Sequence, residues 1–268
     1  MQYIKLNNQI EVPIIGSGTN TYGKVDNEYS GALRGDTQEV DWAIENGYRH
    51  FDSAQLYNNE EVVGKGLKKS SLPREEFFIT TKLNTIKGFG GADWAHEEIE
   101  KSFEKLQTDY FDMFLIHFPW NNHDEIVEAW NILEDYYERG VFNSIGISNF
   151  KKEHIDVILE HGKIKPAVNQ IKSQVGEWND DLIAYNHNND IATVAWSPLR
   201  GIDEDAKEVL ENIGKQYGKS YAQVVLRYQI ERDVIVNPKS HNKERQAQSL
   251  DIFDFELTEA DREKIAAL

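Results

Sequence analysis

The sequence predicts an α/β protein, a (β/α)8 barrel preceded by a short N-terminal β-hairpin. Three observations carry that class. Strand-like and helix-like segments alternate along 268 residues with no Pro/Ser-rich linker, internal repeat or low-complexity tract. Alternation over that length favours a single barrel domain spanning residues 1–268. A doubly wound sheet, the competing architecture, needs G-x-G-x-x-G between strand and helix, and Gly16-Ser17-Gly18-Thr19-Asn20-Thr21 lacks the third glycine. Finally, chemically active side chains recur at the ends of the apolar runs, where the loops of a parallel barrel converge on one face.

Tyr3 to Leu6 and Ile10 to Ile14, joined by Asn7-Asn8, read as the hairpin. The barrel strands follow as residues 14–19, 48–51, 77–81, 110–116, 141–147, 167–169, 191–195 and 234–236. Between them lie helical patterns. The first opens at Asp36 with Glu39 three residues on, a capping-box spacing, buries Val40, Ala43 and Ile44, and stops at Gly47. Ile99, Phe103 and Leu106 share a face, as do Ile126, Trp130, Leu133 and Tyr137 ahead of Gly140. Ile155, Ile158 and Leu159 precede Gly162, and Val209, Ile213 and Tyr217 precede Gly218. Ile202 to Asp205 read as a loop and helix start.

Composition narrows the function. With 40% hydrophobic residues the chain can bury a large core. Lys and Arg total 29 against 46 Asp and Glu, a net charge of −17, which repels nucleic acid and anionic lipid and argues against both as partners. No apolar run approaches the roughly 20 residues of a membrane span, and Met1 to Lys5 lack a signal-peptide stretch. Zero cysteines exclude disulfides, thiolate zinc sites and cysteine nucleophiles. A cytoplasmic protein is the expectation, and a compact barrel needs no partner subunit.

In order, the eight strand ends carry Thr19-Asn20, Asp52, Lys82, His117, Ser148-Asn149, Gln170, Trp196-Ser197 and Lys239-Ser240, with Tyr57 shortly after Asp52. Asp52, Tyr57, Lys82 and His117 form a proton-relay set. A tyrosine beside Lys⁺ is expected to have its pKa of about 10 drawn toward neutrality, making it a general acid. Taken singly, Asp52 reads as a helix cap, Lys82 as a solvated end and His117 as a satisfied buried histidine. Their joint occurrence at ordered strand ends outweighs those explanations. His117 and His123 lie six apart without HExxH, so no metal site is expected. Lys87-Gly88-Phe89-Gly90-Gly91 lacks the Lys-Ser/Thr close of a P-loop and reads as a loop beside the site.

These motifs resemble the aldo-keto reductase family. The resemblance rests on Gly18-Thr19, Gly47 through Ala54 with Tyr57, Thr81-Lys82-Leu83, Asp112 through His117, Gly146 to Phe150, Asn169-Gln170, Ser197-Pro198-Leu199 and Pro238-Lys239-Ser240. It runs from the hairpin, which in such barrels closes the bottom, to about Leu257. It implies hydride transfer from a nicotinamide cofactor to a carbonyl carbon. Tyr57 would protonate the alkoxide, Lys82 tune Tyr57, Asp52 hold Lys82, and His117 orient the carbonyl. A histidine there, rather than the glutamate of relatives that reduce carbon–carbon double bonds, implies aldehydes and ketones as substrates.

For the cofactor, the resemblance implies Thr19 and Asn20 at the first strand end, and Ser148, Asn149 and Gln170 at the carboxamide. Trp196 would stand where tyrosine or phenylalanine usually faces the nicotinamide. Ser197, Leu199, Lys239 and Ser240 would follow the pyrophosphate and ribose-phosphate path, with Arg245 at the adenine and 2′-phosphate. Two cations there favour NADPH (NADP⁺) over NADH. The departures concern substrate. Asn20, Asn84 and Phe118 stand at common aromatic positions, Asn237 interrupts an apolar strand, and the family's long C-terminal loop is short. An open, partly polar pocket is expected, with Tyr22, Trp120 and Trp196 as its aromatic walls. A cofactor-binding sensor with slow turnover, and an unrelated isomerase or hydrolase barrel, are the competing functions.

Overall fold

A computed structural model describes residues 1–268. The chain opens with β1 (Tyr3–Lys5) and β2 (Glu11–Pro13), an antiparallel pair, and then forms eight parallel strands in sequential order. These are β3 (Ser17–Gly18), β4 (His50–Asp52), β5 (Phe78–Leu83), β6 (Met113–Ile116), β7 (Ile145–Ser148), β8 (Val168–Lys172), β9 (Ala192–Trp196) and β10 (Val234–Asn237). The sheet edges meet: Ile15 bridges Val236, Gly16 N donates to Val236 O (2.8 Å), and Val236 N donates to Ile14 O (2.9 Å). Closure leaves no free edge, which is why such short strands suffice.

Ten helices cover the barrel: α1 (Gln38–Asn46), α2 (Glu60–Lys69), α3 (Ala92–Leu106), α4 (His123–Glu138), α5 (Lys152–His161), α6 (Asp180–Asn188), α7 (Glu204–Tyr217), α8 (Tyr221–Ile230), α9 (Lys243–Leu250) and α10 (Glu259–Ala266). None is long and apolar enough to cross a membrane. Strand alternation sorts the side chains. Phe51, Ile79, Leu83, Phe114 and Ile116 face outward into the main core with Val40, Val63, Ile99 and Trp130. The intervening Phe78, Met113 and Leu115 face inward with Val168, Val194 and Ile235. Leu6 and Val12 of the hairpin join that inner cluster as its floor. Asn7 Nδ2 pins the hairpin tip to Pro166 O and Asp190 O (both 2.9 Å), just before β8 and β9.

Several boundaries differ from expectation. The capping box at Asp36/Glu39 does not form: Thr37 is the N-cap, and Glu39 turns toward Arg34 and His241. Strand β6 starts at Met113 rather than Tyr110, because the Asp112 carboxylate accepts from Ile79 N (2.9 Å) and Arg74 (2.8 Å) in place of a backbone ladder. Similarly, β7 starts at Ile145, since Phe142 makes only a single bridge to Phe111.

Candidate active site

Period-two alternation aims the inward face of β4 and β5 at the barrel axis. His50 pairs with Phe78 and Asp52 with Thr80, so Asp52 and Lys82, each two residues beyond an inward neighbour, point inward at the C-terminal rim. Lys82 is 0% and Asp52 3% exposed. Lys82 Nζ donates to Asp52 Oδ1 and Ser53 O, both at 2.7 Å, and to the Tyr57 hydroxyl at 3.4 Å. Gln170 Nε2 donates to the other carboxylate oxygen, Oδ2, at 2.7 Å. Tyr57 arrives on a 3-10 turn (Gln55–Tyr57), and its ring stands edge-on to His117 with centroids 5.8 Å apart. The four residues expected to act together are brought together.

Burial sets their charge states. His117 is held down to about 2 by desolvation and by Lys82, so its imidazole is neutral. Desolvation also lowers Lys82, opposed by Asp52. Tyr57 departs from expectation: burial, reinforced by the Asp52 carboxylate, pushes the phenol well above 10. Lys82 lies nearer Asp52 than Tyr57, so its charge is largely answered before it reaches the phenol.

Above this set opens a cavity of about 590 Å³. Thr19, Asn20, Phe118, Ser148, Asn149, Gln170, Trp196, Ser197, Leu199 and Lys239 line it. Asn149 is the hub: it donates to His117 O (3.0 Å) and Ser148 Oγ (3.0 Å), and accepts from Trp196 Nε1 (2.9 Å). Both Asn149 (φ 62°) and Ser197 (φ 54°) are left-handed. For Ser197 that costs roughly 1–3 kcal/mol, a cost typical of backbone held for function. Arg200, not foreseen, lines the rim with Lys239, and neither forms an ion pair with a carboxylate. Two free cations on one cavity of so acidic a chain suit a phosphate-bearing ligand, and the amide and hydroxyl groups beside Trp196 suit a carboxamide ring.

Other expected residues lie elsewhere. Ser240 and Arg245 are outside the lining; Ser240 Oγ binds Asn242, and Arg245 is exposed in the first turn of α9. Tyr22 is no pocket wall: fully buried, it bonds Ser17 Oγ (2.9 Å) and Gln246 Nε2 (3.1 Å). Trp120 is buried against Phe89, with ring centroids 5.1 Å apart. The Asn84 side chain turns back to accept from Ile86 N (3.2 Å). Tyr29, which no strand-end motif announces, lines the cavity instead. The final segment packs as α10, with Ile265 buried in the cluster of α7 and α8.

A barrel with an ion-paired lysine, a tyrosine and a histidine beneath a phosphate-suited cavity has the layout of a dinucleotide-dependent oxidoreductase. Residues 14–268 match the model of the Aldo/keto reductase family, and the chain belongs to it, as an NAD(P)H-dependent oxidoreductase acting on carbonyl groups. It is 40% identical to a glyoxal reductase of Bacillus subtilis (strain 168), over 99% of this chain and 92% of that one. A methylglyoxal reductase of Escherichia coli O157:H7 is 37% identical, covering 84% of this chain and 82% of its own. The crystal structure of a Bombyx mori aldo-keto reductase in complex with NADP superposes with a TM-score of 0.88 at 33% identity, covering 99% and 92% of the two chains.

Proposed function

We propose that this protein is an NADPH-dependent reductase of small carbonyl compounds, α-dicarbonyls foremost, with Tyr57 as the proton donor. The carrying observation is the Asp52–Lys82–Tyr57 chain beside His117 on the floor of a polar cavity. Asn149, Ser148, Gln170 and the Trp196 plane would hold the nicotinamide; Thr19, Asn20, Ser197 and Leu199 line its path. Arg200 and Lys239 would take the pyrophosphate, with Ser240 and Arg245 toward the 2′-phosphate. When bound, the nicotinamide supplies hydride to the carbonyl carbon.

The chain's own residues do the rest. His117, neutral, donates an N–H to the carbonyl oxygen and fixes its orientation. Tyr57 keeps its proton until negative charge develops on that oxygen, because burial holds the phenol protonated. Lys82 offsets the resulting phenolate, and Asp52 with Gln170 keeps the ammonium in place. The glyoxal and methylglyoxal reductases among its relatives support compact dicarbonyl substrates, as does the Asn20 amide where an apolar wall is common.

Mixing the protein with NADPH and methylglyoxal should consume NADPH by absorbance. Tyr57→Phe should retain NADPH binding but lose roughly 10²–10⁴-fold in single-turnover rate. Equal rates for wild type and Tyr57→Phe would refute the assignment.

A further inference from the structure

Residues 23–34, between β3 and α1, fold as a small hairpin. Lys24 and Leu33 bridge antiparallel, Val25 N donates to Ala32 O (2.9 Å), and Arg34 N donates to Gly23 O (2.7 Å). Near its tip, Tyr29 leans over the active site. Its ring stands edge-on to Tyr57 with centroids 6.1 Å apart, and its hydroxyl donates to Leu56 O (3.4 Å). Lys24, whose side chain is buried, donates to the Tyr29 carbonyl and lies 4.9 Å from its ring. Tyr29 remains 44% exposed. An aromatic held this firmly, yet half in solvent and half in the cavity, contributes little to the core.

One buried carboxylate holds the base of this hairpin. Glu39, on α1, accepts from Gly23 N (3.2 Å) and from Arg34 Nη2 (2.7 and 2.9 Å). It also meets His241 Nδ1 at 2.9 Å, and His241 Nε2 meets Thr21 Oγ1 at 2.8 Å. His241 directly follows Lys239 and Ser240. Glu39 therefore ties the segment facing the substrate to the segment facing the phosphates.

We propose that Tyr29 is a specificity-determining residue, the wall that confines the carbonyl substrate over Tyr57, and that Glu39 is its positioning residue, acting through Arg34 on the hairpin and through His241 on the cofactor segment. This rests on the carbonyl-reductase function above. With Tyr29 on one side and Phe118 stacked on His117 at 4.6 Å on the other, a compact, flat carbonyl fits between the rings and a branched one meets Tyr29.

The test compares kcat and KM for methylglyoxal and for a bulky aryl aldehyde, with NADPH, in wild type, Tyr29→Ala, Glu39→Gln, Arg34→Met and Tyr29→Ala/Glu39→Gln. Tyr29→Ala should raise KM for methylglyoxal about five- to tenfold with kcat within about twofold, and lower KM for the aryl aldehyde. Glu39→Gln should shift the ratio the same way and weaken binding of adenosine 2′,5′-bisphosphate several-fold. Arg34→Met, which leaves His241 untouched, should shift the ratio without altering bisphosphate binding. In the Tyr29→Ala background, Glu39→Gln should move the ratio no further. An unchanged ratio in Tyr29→Ala overturns the wall. Additive shifts in the double variant, or an unchanged ratio in Arg34→Met, overturn the positioning role. A wild type that reduces neither aldehyde removes the underlying function instead.

Discussion

Lowering the pH should destabilise this protein well before its carboxylates titrate, and the cause is two buried imidazoles. His117 is held near 2 and His50 near 4, both mainly by desolvation, against 6.5 in the unfolded chain. Below pH 6.5 the unfolded chain therefore binds protons that the folded state refuses, so stability falls as pH falls. The loss begins near 6.5 and continues to about 4 for His50 and about 2 for His117. Each contributes roughly 1.4 kcal/mol per pH unit, on the order of 5 kcal/mol for the pair between pH 6.5 and 4.5. That is a large share of the 5–15 kcal/mol typical of a domain. Glu39, held at about 2 mainly by its bonds to His241 and Arg34 against the desolvation that raises it, adds its loss only below about pH 4.5. Glu60, raised by burial, works in the opposite direction and offsets part of the slope. Urea unfolding at pH 4.5 to 8 is the assay. His117→Gln and His50→Gln should each flatten the slope by about 1.4 kcal/mol per pH unit between 6.5 and 4.5. Variants whose slopes run parallel to wild type would refute the neutral, buried imidazoles, and with them the neutral donor role proposed for His117.

Lys82→Met leaves the Asp52 carboxylate buried with Gln170 as its only side-chain donor; it should cost about 3–5 kcal/mol in urea unfolding and abolish reduction, and near-normal stability would mean the pair is dispensable. Arg200→Ala should weaken NADPH binding about tenfold at low salt, as measured by tryptophan fluorescence, with the difference shrinking as ionic strength rises; a salt-independent loss would mean Arg200 acts through packing. Among substrates, methylglyoxal should exceed alkyl aldehydes of similar size in kcat/KM, and the reverse order would remove the dicarbonyl preference.

Much of the fold was legible because barrel strands are short apolar runs with active groups just beyond them. The inward aim of Asp52 and Lys82 follows from period two alone, once His50 and Phe78 are placed. Helix α8 shows the limit. None of the helical patterns read from the sequence covers Tyr221–Ile230, because it is buried on nearly every face and lacks a one-sided apolar stripe; the Ser220–Gln223 capping box fixes its start. Tyr22 misled for a related reason: it follows the first barrel strand as a pocket residue would, yet Ser17 and Gln246, 224 positions away in the second case, draw its hydroxyl into the core. Tyr29 escaped notice because its hairpin rests on one bridge and on a carboxylate from the next helix, neither of which leaves a local pattern.

Charge and burial divide the remaining explanation between them. Counting charges predicts a softened Tyr57, whereas burial raises it, so the phenol keeps its proton, as the donor role proposed for it requires. The same division governs the ligand. A net charge of −17 repels a phosphate-bearing cofactor at long range, but that field is screened beyond about 8 Å at physiological salt. Within that distance Arg200 and Lys239 stand unpaired on the rim of the cavity. Some other surface cations, among them Lys69, Lys101, Arg139 and Lys243, are paired with carboxylates. An anion that reaches the rim therefore meets two positive groups that no carboxylate of the chain already holds in an ion pair.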